Sequence, residues 1–230
     1  MATTVQDILD QAYNLSGKTQ PGELVDEGSE IPLAVHRHLR ATYLIGAQVN
    51  PTFFGASAAV AGVASVWAEP TDSNLVFYIE DATPAPVWIR RLQEKAESWE
   101  DPSVYALGRS FYPCGGANDP SGTETLTMYY SKKPSALTAL ADTLDVTWDE
   151  DHNDVLIYAL GTYMATKDYG SQQGELAVFT DDFKAAVARY LTHLRLDVVG
   201  VVSRFGGIVE TSTLSIEDAA QLILGSASGG

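Results

Sequence analysis

The chain has a single cysteine, Cys114, so no internal disulfide can form and the fold must be held by packing. Basic residues are scarce: 14 Lys and Arg stand against 30 Asp and Glu, a net charge of −16. With few cations to displace counterions, binding to DNA phosphates by charge attraction is excluded, although DNA could slide past such a surface without sticking. No window approaches the ~18 apolar residues needed to span a bilayer. No secretory signal is present either, so the chain is expected to be soluble, made in a cytoplasm, and without a membrane partner. The usual catalytic motifs are missing too. There is no phosphate-binding glycine loop, no GxSxG elbow, no paired-cysteine metal site and no dinucleotide fingerprint. Gly115-Gly116 and Gly206-Gly207 read as hinges. Cys114 is expected at the surface, with no His close in sequence to activate it. No catalytic, cofactor-binding or metal-ligating residue is assigned, and no cofactor is expected.

What is present is a 45% hydrophobic chain able to build a packed core. Its strongest local signal runs over residues 144–170. Trp148 is followed by the polar cluster Asp149, Glu150, Asp151, His152 and Asn153, then by Val155, Leu156, Ala159, Leu160, Tyr163 and Met164 on one helical face. Carboxylates at the positive end of a helix dipole can cap its free N–H groups, and Gly170 suits the stop. The same cluster contains metal-donor atoms. It is set aside as a ligand set because its spacing matches neither a calcium loop nor the two-His helical zinc motif, and replacing His152 is expected to cost little.

Helical periodicity also marks 4–15, 31–49 and 181–198, with Thr3 or Thr4 capping the first and Thr180 or Asp181 the last. His36 and His38 are expected at the surface of the second helix. Between 52 and 138 the period changes. Segments rich in β-branched and aromatic residues appear at 60–67, 75–80, 87–91, 104–112 and 124–130, separated by turn residues. A helical turn or two is expected in 91–99, and Trp67, Trp88 and Trp99 are expected to form a small core. The fold class is therefore α+β: an antiparallel α-helical bundle (1–50 and 135–202) interrupted by an inserted small antiparallel β-domain (51–134) of four to six strands. A C-terminal arm follows at 203–230. Ser215 with Asp218 has capping-box spacing for a short apolar helix.

The run Met128-Tyr129-Tyr130-Ser131-Lys132-Lys133-Pro134, then Leu137-Thr138, Asp142-Thr143-Leu144 and Trp148-Asp149-Glu150-Asp151-His152-Asn153-Asp154 into the following helix resembles head–tail adaptor (connector, neck, gatekeeper) proteins of tailed bacteriophages. Val5-Gln6-Asp7-Ile8-Leu9-Asp10 is similar to their first helix. The resemblance covers 126–194 well and 4–43 loosely, and Trp148 stands where those proteins commonly carry proline. It implies a homo-oligomeric ring, usually a dodecamer, at the head–tail interface of the virion. Such a ring joins the portal protein to a tail, nozzle or stopper protein and leaves a channel for double-stranded DNA. Two rivals belong to other classes. One is a phage cell-wall hydrolase using a carboxylate pair, with Glu124 or Glu150 as candidates; the other is an unrelated binding protein whose β-domain holds a partner.

The tail is expected to be a docking arm for the portal or a neighbouring subunit. Residues 208–214 are rich in β-branched side chains and can add as a strand to a sheet edge, and 222–224 form an apolar anchor. The docking residues so assigned are Ile208, Val209, Thr211, Thr213, Leu214, Ile216, Leu222, Ile223 and Leu224. The alternative is a tail folded back onto its own bundle.

Overall fold

The structure, a computed structural model, describes residues 3–16, 26–92, 100–169, 173–204 and 214–225. Among them are five α-helices and two small sheets, a mixed α+β protein. The chain divides into two compact units. One comprises Met1–Asn50, Lys133–Val198 and Thr211–Gly230, the other Pro51–Lys132 and Val199–Glu210.

The first unit is helical. α1 (Val5–Ser16) opens on a reciprocal capping box: Asp7 N donates to Thr4 Oγ1 at 3.1 Å while Thr4 N donates to Asp7 Oδ2 at 2.8 Å. Its start is also tied to the loop before α3, since Val5 N donates to the Asp142 carbonyl and Gln6 N to that of Leu140. α2 (Glu30–Val49) accepts Pro32 in its first turn, where no amide is needed. A short 3₁₀ turn (Glu150–His152) leads into α3 (Asn153–Tyr169), whose Val155, Leu156, Ala159 and Leu160 are all fully buried. Lys167 in the last turn of α3 is paired with Glu30 at the start of α2, at 2.8 Å. α3 packs against α1 and α2. Gly170 lies outside the described residues.

α4 (Gln173–Arg204) corrects one expectation. Thr180 and Asp181 do not cap it; they lie inside a helix that begins at Gln173. The segment Glu175-Leu176-Ala177-Val178-Phe179 contains no breaker, and Gly174 falls in the first turn, where it is cheap. The expected stripe is present, with Phe183, Val187, Tyr190, Leu191 and Leu194 at most 1% exposed. α5 (Ile216–Gly225) begins behind Ser215, whose Oγ accepts from Asp218 N at 3.0 Å.

The second unit holds seven strands: β1 (Gly55–Ala61), β2 (Trp67–Ala68), β3 (Ser73–Glu80), β4 (Trp88–Arg90), β5 (Ser103–Leu107), β6 (Ser110–Pro113) and β7 (Thr125–Lys132). They form two sheets, β1-β7-β3 and β2-β6-β5-β4. Both run antiparallel except where β4 pairs parallel with β5, so the expectation of a purely antiparallel domain of four to six strands is corrected. The segment 60–67 is not one strand. The chain reverses through Ala64 and Ser65, both at left-handed φ (51° and 62°), between the mutually bonded Val63 and Val66. Such a turn is normally signalled by Asn-Gly, and Ala-Ser carries no such signal. The segment 104–112 is likewise a hairpin, turning at Gly108 (φ 62°). β1 escaped notice because its sequence, GASAAVA, is poor in strand-forming residues.

Leu126, Met128 and Tyr130 of β7 alternate into a core with Trp67, Val76, Ile79, Val87, Val104 and Phe111. Of the tryptophans expected there, Trp67 is fully buried, Trp88 is only half-buried beneath the Arg90 guanidinium, and Trp99 lies outside the described residues, as does the helical turn expected in 93–99. Gly62 and Gly122 close this core by backbone contact. A Cβ on Gly62 would meet the Gly122 carbonyl at 2.4 Å.

Leu156 is fully buried in the helical unit. Its truncation to Ala is expected to cost about 2–5 kcal/mol in denaturant unfolding, through lost transfer energy and the cavity left behind.

Candidate docking surface

Of the nine tail residues assigned to docking, Ile208, Val209, Thr211 and Thr213 lie outside the described residues. The other five are placed within the helical unit. The Leu214 carbonyl accepts from Arg195 Nη2 of α4 at 2.6 Å. Ile216 opens α5 half-buried, Ile223 is fully buried, Leu224 is half-buried and Leu222 is 47% exposed. α5 packs against α2 and α3. The helical part of the tail is thus folded onto its own unit, and only its outer side, with Leu222, faces solvent. The reason is the helix's own pattern: Ala219, Ala220 and Ile223 share one face, and α2 is buried over a wider arc than its apolar stripe predicts.

His38 belongs to that wider arc. It was expected at the surface, yet it is fully buried, with Nδ1 2.9 Å from the Ile223 carbonyl and Nε2 without a hydrogen-bond partner. Burial pushes its pKa down to about 4. The bond to Ile223 opposes that shift and the charge of Arg37 adds to it. The ring is therefore neutral, with Nδ1–H donating to Ile223 and holding α5 on α2.

On the solvent side α2 and α5 enclose an open groove of ≈ 850 Å³. Its lining includes Arg37, Arg40, Ala41 and Leu44 of α2 and Asp218, Gln221 and Leu222 of α5. Leu44 is 43% exposed, so two leucines and two arginines share one concave surface in a strongly acidic chain. Sequence reading passed over Arg37, Arg40 and Leu44, because they occupy the outer side of α2 and acquire meaning only when α5 lies beside them.

The acidic run before α3 does what its chemistry predicts at one point: Asp149 Oδ1 accepts from Asp151 N at 3.0 Å. His152 departs from expectation. It is 6% exposed, edge-on to both Trp148 and Tyr190, and its Nε2 lies 2.6 Å from Nδ1 of His193 on α4. Burial lowers its pKa, as does the neighbouring His193, while Asp149, Asp154 and Asp151 oppose the shift. Trp148 is itself buried. Its indole N–H donates to Asn153 Oδ1 at 2.9 Å and its ring stacks on Tyr43.

Of the two hydrolase candidates, Glu124 is held in its ionised form. Burial would raise the Glu124 carboxyl, but hydrogen bonds from the Ser121 hydroxyl and from the Ser121 and Thr123 amides bring it down to about 2. That direction is wrong for a general acid. Glu150 is exposed in the 3₁₀ turn of the other unit. Cys114, expected at the surface, is 7% exposed.

Residues 34–204 match the family model of the SU10 adaptor protein. The matched stretch runs from α2 through both sheets to the end of α4. That places the chain in a class of structural proteins of the phage virion, the head–tail adaptors. The chain belongs to the SU10 adaptor family. No curated protein matches it. Among the described residues no helix is long and apolar enough to cross a membrane.

The sign of the His38 shift gives a pH test. Between an unfolded value near 6.5 and a folded value of about 4, the unfolded chain binds the extra proton. Stability from this group is therefore complete above pH 6.5 and is lost as pH falls toward 4, by about 3 kcal/mol in all. Chemical denaturation across that window is expected to show the loss. His38→Asn, which keeps a donor for Ile223 but cannot titrate, is expected to flatten the slope. His152→Ala is expected to cost about 2–4 kcal/mol in the same assay, since it empties a buried site between Trp148 and Tyr190.

Proposed function

We propose that the chain assembles into a homo-oligomeric ring, most simply a dodecamer, that joins the portal protein to a tail, nozzle or stopper protein. Double-stranded DNA would pass through it during packaging and ejection without sequence-specific binding. The observation that carries this reading is the family match, which spans elements of both compact units. The charge supports it. At −16, a ring wall would repel the phosphate backbone and let DNA move. No catalytic step is required of such a protein. In this reading the helical unit, 1–50 and 135–202, is the ring body, 51–134 is an insert, and 203–230 contributes the contact region.

A closed ring needs a heterologous interface, in which one patch of a subunit meets a different patch of the next. The α2–α5 groove is one half of such a pair. Its Arg37 and Arg40 suit an acidic surface, and the chain's own excess of 30 acidic over 14 basic residues supplies one on every copy. The occupant we assign is a neighbouring copy of this chain. Docking in this reading centres on Leu222 and the groove it borders, and Ile208, Val209, Thr211 and Thr213 keep the docking role expected from their sequence.

Mass measurement by light scattering or native mass spectrometry, alone and with portal, is the direct test. The wild type is expected to form a ring, and Arg40→Glu or Leu222→Asp to lower its mass to that of the monomer while leaving the circular dichroism unchanged. A variant that still forms rings but no longer binds portal would show that the groove receives the portal. Wild type that stays monomeric with portal present would overturn the ring.

A further inference from the structure

Two histidines that are 41 positions apart in the chain meet in the helical unit, His152 Nε2 and His193 Nδ1 at 2.6 Å. Asp149 completes the group: one donor atom from each of the three lies within 4.8 Å of the other two. These donors are held from two sides. Asp149 and His152 flank the tight turn that opens α3, and His193 stands on α4. The turn's cap uses only one oxygen of the Asp149 carboxylate, Oδ1. His152 is gripped between Trp148 and Tyr190, so its ring has little freedom to turn away.

We infer that Asp149, His152 and His193 form a binding site for a divalent cation of the zinc class, clamping the start of α3 to α4. Two imidazole nitrogens and one carboxylate are the donor set that zinc and its neighbours favour over magnesium or calcium. Tetrahedral ligation places donor atoms about 3.3 Å apart, so the imidazoles need to part by about 0.7 Å and tilt toward a shared ion, and the Asp149 oxygen to draw in from within 4.8 Å. Three protein ligands leave a fourth position for water. Of the three donors, His193 also lines a shallow depression on α4, with Ala188, Arg189 and Thr192. Arg189 of that lining is paired with Asp154, which limits its repulsion of an incoming ion. This site shares no residue with the α2–α5 groove, so it stands whether or not the ring reading does.

The test uses the full chain, stripped with chelator and titrated with Zn²⁺ and, separately, Co²⁺. One zinc per chain is expected to survive gel filtration, with a rise in melting temperature that chelator reverses. Bound Co²⁺ is expected to give the intense visible absorption of a four-coordinate site. Asp149→Asn and His193→Gln are each expected to retain less than about a tenth of the zinc, whereas His36→Gln, on α2, retains all of it. If either ligand variant fails to fold, the cobalt spectrum of the wild type decides. The weak spectrum of the hexa-aquo ion, zinc lost on the column, or undiminished zinc in folded His193→Gln would each overturn the site and leave a plain histidine–histidine hydrogen bond.

Discussion

The helical unit depends on one aromatic junction. Trp148 stacks on Tyr43 of α2, meets His152 edge-on and lies against Tyr190 of α4. Hydrogen bonds fix the registration of the rings. Tyr43 Oη pairs with Thr147 Oγ1 at 2.7 Å, and Tyr190 Oη donates to the Thr42 carbonyl at 2.9 Å. The side chain of Asn50 adds a bond from the end of α2 to the Leu194 carbonyl of α4. Aromatic area at this density dominates local packing, and each polar tip is satisfied within it. The direction of α3 is set by ring packing and by the indole bond to Asn153.

The constraint at that junction accounts for the treatment of the polar run beside it. A carboxylate cluster at a helix start needs only solvent and a few amides, but a histidine beside Trp148 and Tyr190 is drawn into the core and must find a polar partner there. His193 is that partner. The same logic operates on α2, where His38 buries its ring against α5 and bonds the Ile223 carbonyl. In both places a histidine joins helices that are distant in sequence.

For an adaptor, the distribution of charge and apolar surface matters more than any reactive group. The chain is acidic overall, yet its α2–α5 groove brings together two arginines and two partly exposed leucines. In the proposed ring, that contrast would serve a heterologous interface, in which the groove of one copy meets a different, acidic patch of the next.

The sequence by itself determined the elements whose causes are local. The capping boxes at Thr4–Asp7 and Ser215–Asp218, the buried stripe of α3, the stripe of α4 from Phe183 to Leu194 and the change of period after Pro51 all follow from spacing within a few residues. The likeness to phage head–tail adaptors was also legible, carried by the order of motifs from Met128 to Leu160. What only the tertiary structure decided involves residues far apart in the chain. The turn at Ala64-Ser65 adopts left-handed backbone that those residues do not advertise. The parallel pairing of β4 with β5 joins strands whose local patterns say nothing of direction. His38 and Cys114 were expected at the surface and His152 to be cheap to replace; all three are buried, because α5, α4 and the strands of the second unit lie over them. The groove and the Asp149–His152–His193 group exist only where two helices meet. Periodicity reports which face of an element is apolar, but burial of a polar side chain depends on what arrives from elsewhere in the chain to cover it.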